Sequence, residues 1–242
     1  MYLSDAEQQA LATCFSLLAE DLDEGEIRNR IGRAALDLFQ ADQFASYVWL
    51  GNEGRFGRCV ALHMDPANLG RYDAYYQYHD PITFLLQSRR RATLVSEVMP
   101  RRDFLKTAFF NEFLARDGLH WGINLHAYEG GEALGDLRIW RGSGRGEFTA
   151  HDKALLNLIE PAFTAALRRA RRAGPARTAA PAALSPRELA VARCICRGLT
   201  DKEIARELGI ACPSVRTYVR RTFGKLGVTR RSGVAQALSA LH

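Results

Sequence analysis

The sequence predicts an α+β chain: an amino-terminal α-β-α sandwich built on an antiparallel sheet, followed by an all-α domain of four short helices. Three observations predict it. Two pairs of apolar, strand-like runs flank short Gly-rich turns, with helical patterns before, between and after them. One segment, Arg168 to Leu184, passes from a basic helix end into Gly174, Pro175 and Pro181 among small residues, a composition that breaks helices and buries nothing. Beyond it, two capping boxes stand in register with two stop glycines. These divide the chain into a domain over 1–173, a linker over 174–183 and a domain over 184–242.

The elements follow in order. Ser4 can cap a helix running to about Asp21, and a second helix spans about Glu24 to Gln40 with Ile27, Ile31, Ala34, Ala35 and Leu38 on one face. FASYVWL and RFGRCVALH flank Gly51–Gly54 as a hairpin. A Tyr-rich helix at about 66–78 leads to His79-Asp80-Pro81, and a short strand lies near 92–96. DFLKTAFFNEFLARDG reads as one amphipathic helix, Asp103 to Arg116, stopped by Gly118. LHWGINLHAY and LGDLRIWR form the second hairpin; one face carries Gly122, Asn124 and His126 with Asp136, Arg138 and Trp140 opposite them. Thr149 and Asp152 open a long helix reaching about Arg172, whose stripe (Leu155, Leu156, Ile159, Phe163, Ala166, Leu167, Ala170) faces a core or a partner.

Composition narrows the function classes. The chain of 242 residues is 47% hydrophobic and 25% charged, which argues against global disorder. From Leu184 to His242 there are eleven basic and four acidic side chains, giving +7, while the preceding 183 residues carry −1. The positive charge therefore sits where a polyanion would bind. The five cysteines have no framework or zinc spacing and read as packed free thiols of a reducing cytoplasm; no metal and no cofactor is expected. No signal peptide and no membrane-length apolar run is present, so the expected location is cytoplasmic, without a membrane partner. The histidines form no catalytic spacing, and Ser143 in RGSGRGE lacks a strand-to-helix elbow, so no catalytic residue is assigned and an enzyme on the first domain is the remote alternative.

The carboxy-terminal domain carries the strongest signal. Ser185, Pro186 and Glu188 open its first helix and Gly198 ends it; Thr200 and Glu203 open the second and Gly209 stops it. On the third helix, about Cys212 to Leu226, Val215, Val219, Phe223 and Leu226 share one face, toward Ile204, Leu208 and Ile210. Thr217, Arg220 and Arg221 lie opposite, flanked by Arg216, Ser214 and Lys225. An apolar face buried against the preceding helix and a basic face turned outward suits helix-turn-helix entry into a DNA major groove; a solvated basic face on an ordinary helical bundle is the alternative.

The run LSPRE…RGLTDKEIARELGI…SVRTYVRRTFGKLGV resembles the carboxy-terminal domain of LuxR-type regulators. The resemblance implies double-stranded DNA as partner, with Arg216, Thr217 and Arg220 as base readers and Ser214, Arg221 and Lys225 on phosphates. It also implies a homodimer seam along the last helix through Val234, Leu238 and Leu241, with RNA polymerase a further candidate partner. Ala211 stands where the family places a hydroxyl N-cap. In front, Tyr72, Tyr75, Tyr76, Asp80 and Pro81, followed by FFNEFLARDGLHWGINL and GGEALGDLRIWR, resemble the autoinducer-binding domain of quorum-sensing members. This implies a small-molecule signal bound by Asp80, Tyr72, Tyr76, Asn124 and Arg138. Asp80 serves equally well as a helix cap. The family's lactone-facing tryptophans are absent, and Asn124, His126, Asp136 and Arg138 occupy the wall an acyl tail would need. The expected protein is a sequence-specific DNA-binding transcription regulator that responds to a small signal other than an ordinary acyl-homoserine lactone; the alternative is a ligand-independent dimeric regulator with a self-filled pocket.

Overall fold

The computed structural model describes residues 2–173, 184–226, 228 and 230–239. The chain forms two compact units, 1–176 and 177–242; the linker expected over 174–183 lies outside the described residues.

The first unit begins with two capped helices. In α1 (Asp5–Ala19) the Glu7 amide donates to the Ser4 hydroxyl while the Ser4 amide donates to the Glu7 carboxylate. In α2 (Glu24–Leu38) the Glu26 amide donates to Asp23 at 2.8 Å. Strands β1 (Gln43–Leu50) and β2 (Arg55–Leu62) make the first hairpin. Helices α3 (Pro66–Ala74) and α4 (Thr83–Ser88) and the two-residue strand β3 (Thr93–Leu94) follow. After α5 (Arg101–Phe104), strands β4 (Trp121–Glu129) and β5 (Glu132–Arg141) pair across Gly130-Gly131. Both turn glycines have positive φ, 57° and 93°, which a two-residue hairpin turn demands and side chains resist. The two hairpins join through β1 and β5 into one antiparallel sheet of order β2-β1-β5-β4-β3.

Helices cover both faces of that sheet. On one side α1, α2 and α6 (Ala150–Arg172) close over Phe44, Ile123, Leu125, Leu137 and Ile139 in an apolar core. All seven residues of the α6 stripe are buried there, so the stripe belongs to this unit's own core and is not left for a partner. On the other side α3, α4 and the 101–117 segment bring Tyr72, Ile82, Phe104, Phe109, Phe110 and Phe113 onto Tyr47, Phe56 and Trp140.

Two expected helices are broken. The Tyr-rich helix ends at Ala74, and Tyr76–Tyr78 is a separate 3₁₀ turn. The helix expected over 103–116 is α5, then a π turn at Phe109–Phe113 and a 3₁₀ turn at Leu114–Asp117. At 100° per residue on a continuous helix, Phe109 and Phe113 would lie about 140° and 180° round from Phe104, with Leu114 about 80° round on the other side. All four are buried, which a straight helix could not achieve against one sheet face. The cysteines also differ from expectation: Cys14 and Cys194 are packed, but Cys59 and Cys196 are exposed.

The second unit holds α7 (Pro186–Cys196), α8 (Asp201–Leu208), α9 (Cys212–Leu226) and α10 (Ser232–Ser239). Val191, Ala192, Ile195, Ile204, Val215 and Val234 form its core. Val234, expected in a dimer seam, is buried inside the domain, and Leu238 packs against the same cluster; Leu241 lies outside the described residues. No helix among the described residues is long and apolar enough to cross a membrane.

Candidate functional site

Two sites emerge, one on each unit. On the second, both capping boxes form as the sequence demands: the Glu188 amide donates to Ser185 Oγ, and the Glu203 amide to Thr200 Oγ1. Gly209 ends α8 at φ 62° and turns the chain into α9. With no hydroxyl cap at Ala211, the first turn of α9 closes on the Ala211 carbonyl, which accepts from the amides of Ser214 and Val215. Val215 is fully buried, and Val219, Phe223 and Leu226 pack beside it against Leu208 and Ile210.

The outer face of α9 carries Arg216, Arg220 and Arg221, all exposed, with Ser214 and Thr217 half-buried beside them. Three guanidiniums on one helix face give five-donor forks that match guanine edges and phosphates. Lys225 differs from its neighbours, because its ammonium lies 2.6 Å from the Glu188 carboxylate. That contact, with the Ser185 amide, holds Glu188 down at about 2. Among the described residues, Lys225 is the one cation of the six expected DNA-contact residues with a carboxylate within hydrogen-bond distance.

On the first unit the polar row of the second hairpin lies where strand alternation puts it. Gly122 pairs with Trp140, Asn124 with Arg138 and His126 with Asp136. Gly122 leaves room that a Cβ would fill at 2.7 Å from Val95 and 2.8 Å from the Trp140 ring. Arg138 is 5% exposed; its Nε donates to Asp136 at 2.9 Å and its Nη1 to the Tyr72 hydroxyl at 2.6 Å. Its guanidinium carbon lies 4.7 Å from the Tyr47 ring centre and 4.6 Å from that of Phe56. Burial opposes the charge, yet Asp136, Tyr72 and Asp80 outweigh it and hold the guanidinium well above its usual range. Asp136 also accepts the Tyr47 amide at 2.6 Å.

Asp80 is a cap. Its Oδ1 accepts the amides of Ile82 and Thr83 at 2.8 and 2.9 Å, and its Oδ2 accepts the Thr83 and Tyr72 hydroxyls. Burial pushes its pKa up, against those hydrogen bonds and the Arg138 charge. The cavity beside it has about 30 Å³ of free space, walled by Met64, Ile82, Phe109, Phe113 and Trp140 together with Tyr72, Asp80, Asn124 and Arg138. A water needs roughly 10–15 Å³ of such space, so about two waters fit and an acylated lactone does not.

Of the expected ligand residues, the structure brings Tyr72, Asp80, Asn124 and Arg138 to one cavity. Tyr76 does not line it; its hydroxyl donates to Glu112 at 3.0 Å and accepts from Arg71. Asn124 Nδ2 and His126 Nε2 are buried without hydrogen-bond partners among the described residues. Burial drives His126 down to about 4, with the Arg138 charge acting the same way and Asp136 opposing. Sequence reasoning missed Tyr47, which stacks on Arg138 and lines the cavity. The period-two alternation of its strand could have placed it on that face.

Residues 182–238 match the family model described as GerE: bacterial regulatory proteins, luxR family. The carboxy-terminal domain belongs to the luxR family. This luxR-family domain is 45% identical over 56 residues to the two-component response regulator PprB of Pseudomonas aeruginosa. That alignment covers 23% of this chain and spans only a fifth (20%) of the curated relative's length. Among solved structures, Escherichia coli SdiA matches with a TM-score of 0.52 at 20% identity, covering 97% of each chain. The N-acylhomoserine lactone dependent LuxR family factor CepR2 of Burkholderia cenocepacia matches with a TM-score of 0.53 at 19% identity, over 68% of this chain and 94% of its own. At such identity these two likenesses speak for the fold, in SdiA along nearly the whole chain.

Proposed function

We propose that the protein is a sequence-specific DNA-binding transcription regulator whose first domain has the shape of a signal-binding domain but fills its pocket with its own side chains. The observation that carries the DNA-binding part is α9: one face is sealed into the luxR-family core while Arg216, Arg220 and Arg221 stand together on the other. Arg216, Thr217 and Arg220 are assigned to base edges, and Ser214 and Arg221 to phosphates; Lys225, held by Glu188, contributes least. A homodimer on a palindromic operator fits this role. With the α6 stripe and Val234 buried, the apolar side chains still exposed on the first unit include Leu158 on α6 and Phe84 and Leu85 on α4.

Selection of preferred duplexes from a random pool tests the reading. Arg216→Ala and Arg220→Ala are each expected to cost about 1–3 kcal/mol on the selected duplex and to relax preference at one position. Arg221→Ala should weaken selected and random DNA alike and lower the salt slope by about one. No enriched sequence, or equal losses for all three variants on both DNAs, would remove the assignment.

One observation favours a second reading, in which a small polar molecule is bound: Asn124 Nδ2 is an unpaired buried donor at the cavity wall. Mass spectrometry of molecules released from denatured, cell-purified protein separates the readings. A stoichiometric polar compound supports the second, and its absence supports the first.

A further inference from the structure

We infer that Asp201 is a positioning residue for base readout, its carboxylate holding the Arg216 side chain at the start of α8 until DNA competes for it. This rests on the proposed reading that Arg216 reaches a base edge. Asp201 is the first residue of α8, and its carboxylate joins three parts of the domain. One oxygen accepts from Arg231, in the turn before α10, and Arg231 donates at the same time to the Leu199 carbonyl at 2.6 Å. The other oxygen lies 3.9 Å from Arg216 Nε on α9. Arg231 is thus fixed at two points, whereas the Arg216 side chain is 78% exposed and approaches the carboxylate at one, beyond hydrogen-bond distance.

A carboxylate here calls for an explanation. In a helix-turn-helix domain the second helix enters the groove and the first crosses the phosphate backbone. A negative charge between the two repels phosphate and lowers affinity for any sequence. Among the described residues Arg220 and Arg221 have no ion pair, so the restraint falls on Arg216 alone of the three exposed arginines of α9. An exposed pair at this distance adds little stability. What it does is give a long, flexible side chain an alternative partner before binding, one that a bidentate guanine contact displaces more readily than a single phosphate contact does. It also withholds a cation from indiscriminate phosphate contacts. When Arg216 leaves for a guanine, Arg231 stays behind to neutralise the carboxylate. Asp201 in this way exchanges general affinity for discrimination, by making the wrong contacts less favourable.

The test uses the full chain and the duplex it selects from a random pool. Dissociation constants are measured for that duplex, for each single base-pair change and for random duplex, across a range of salt. Arg216→Ala first identifies the base pair this side chain reads. Asp201→Asn should then raise affinity for random duplex about threefold at low salt, through one added positive charge. Discrimination at the base pair identified by Arg216→Ala should fall about three- to tenfold, within the coupling expected of neighbouring groups, with other positions unchanged. Asp201→Glu should restore it, and Asp201→Asn added to Arg216→Ala should remove no further discrimination there. Unchanged discrimination in Asp201→Asn, with Arg216→Ala still selective, overturns this inference and leaves the base-reading assignment standing. A uniform loss on every DNA with a lower melting temperature, as a purely helix-starting role would give, overturns it as well. If Arg216→Ala alters no base preference, the assignment falls and this inference falls with it.

Discussion

The two faces of the central sheet are built on opposite rules, although the same strands supply both. Toward α1, α2 and α6 the sheet presents Phe44, Ile123, Leu125, Leu137 and Ile139, and hydrocarbon fills the space. Toward α3, α4 and the 101–117 segment the same hairpin presents Asn124, His126, Asp136 and Arg138, packed beneath aromatic rings. The first face holds the domain together through area removed from water. The second places a paired charge beside a cavity with room for about two waters. The difference teaches that one sheet can carry a hydrocarbon core on one face and a buried ion pair on the other. Burying that pair costs desolvation, which only a complete set of partners offsets.

The largest expected effects strike each face once. Arg138→Leu strands the Asp136 carboxylate in the interior and should cost about 3–5 kcal/mol. Phe163→Ala, on the apolar face, should cost a similar ~3–5 kcal/mol by opening a cavity. The two separate on repair. Adding Asp136→Asn to Arg138→Leu removes the stranded charge and should recover most of the loss, whereas the same addition to Phe163→Ala should recover none. All three tryptophans, Trp49, Trp121 and Trp140, lie in the first domain, so their fluorescence during urea unfolding follows it selectively. Failure of Asp136→Asn to rescue Arg138→Leu would mean that the guanidinium matters for volume rather than charge.

A smaller effect is expected where the two faces differ in tolerance. Gly122→Ala pushes a methyl into Val95 and the Trp140 ring and should cost about 1–3 kcal/mol in the same assay. Smaller again is the part of the pH dependence that His126 of the polar face contributes. His126 is held near 4 in the folded protein and titrates near its ordinary 6.5 when unfolded. Its contribution to stability is therefore complete above about 6.5 and is lost as pH falls from 6.5 toward 4, because only the unfolded chain takes up the proton there. His126→Gln should flatten the fluorescence-monitored stability across that window. An unchanged slope would place the pH sensitivity elsewhere.

What was legible in the sequence divides along the same lines. Local chemistry was readable: Ser4 caps α1, and Thr149–Asp152, Ser185–Glu188 and Thr200–Glu203 form the capping boxes their spacing implies. So was strand alternation, which put Asn124, His126, Asp136 and Arg138 on one face in register. Side chains whose fate depends on distant partners were not. Tyr76 looked like a pocket aromatic but is turned aside by Glu112 and Arg71. Asp80 could be ligand anchor or cap; it both accepts from Thr83 at the start of α4 and lines the cavity. The 101–117 segment has helical periodicity, yet burying Phe104 together with Phe109 and Phe113 required a break that no local signal marks. The α6 stripe was visible as apolar, but only the fold shows that it enters this domain's own core.

The central claim is that the first domain is filled by its own Arg138, Asp136, Tyr72 and Asp80 while the luxR-family domain binds DNA without help. Its most direct test is the affinity of ligand-stripped, full-length protein for its selected duplex, alone and with acyl-homoserine lactones of graded chain length. The account predicts tight, sequence-selective binding by the stripped protein and the same dissociation constant at every chain length. Tenfold or greater tightening by a long-chain member, abolished by Asp80→Ala, would contradict it and show that the cavity opens to a conventional signal.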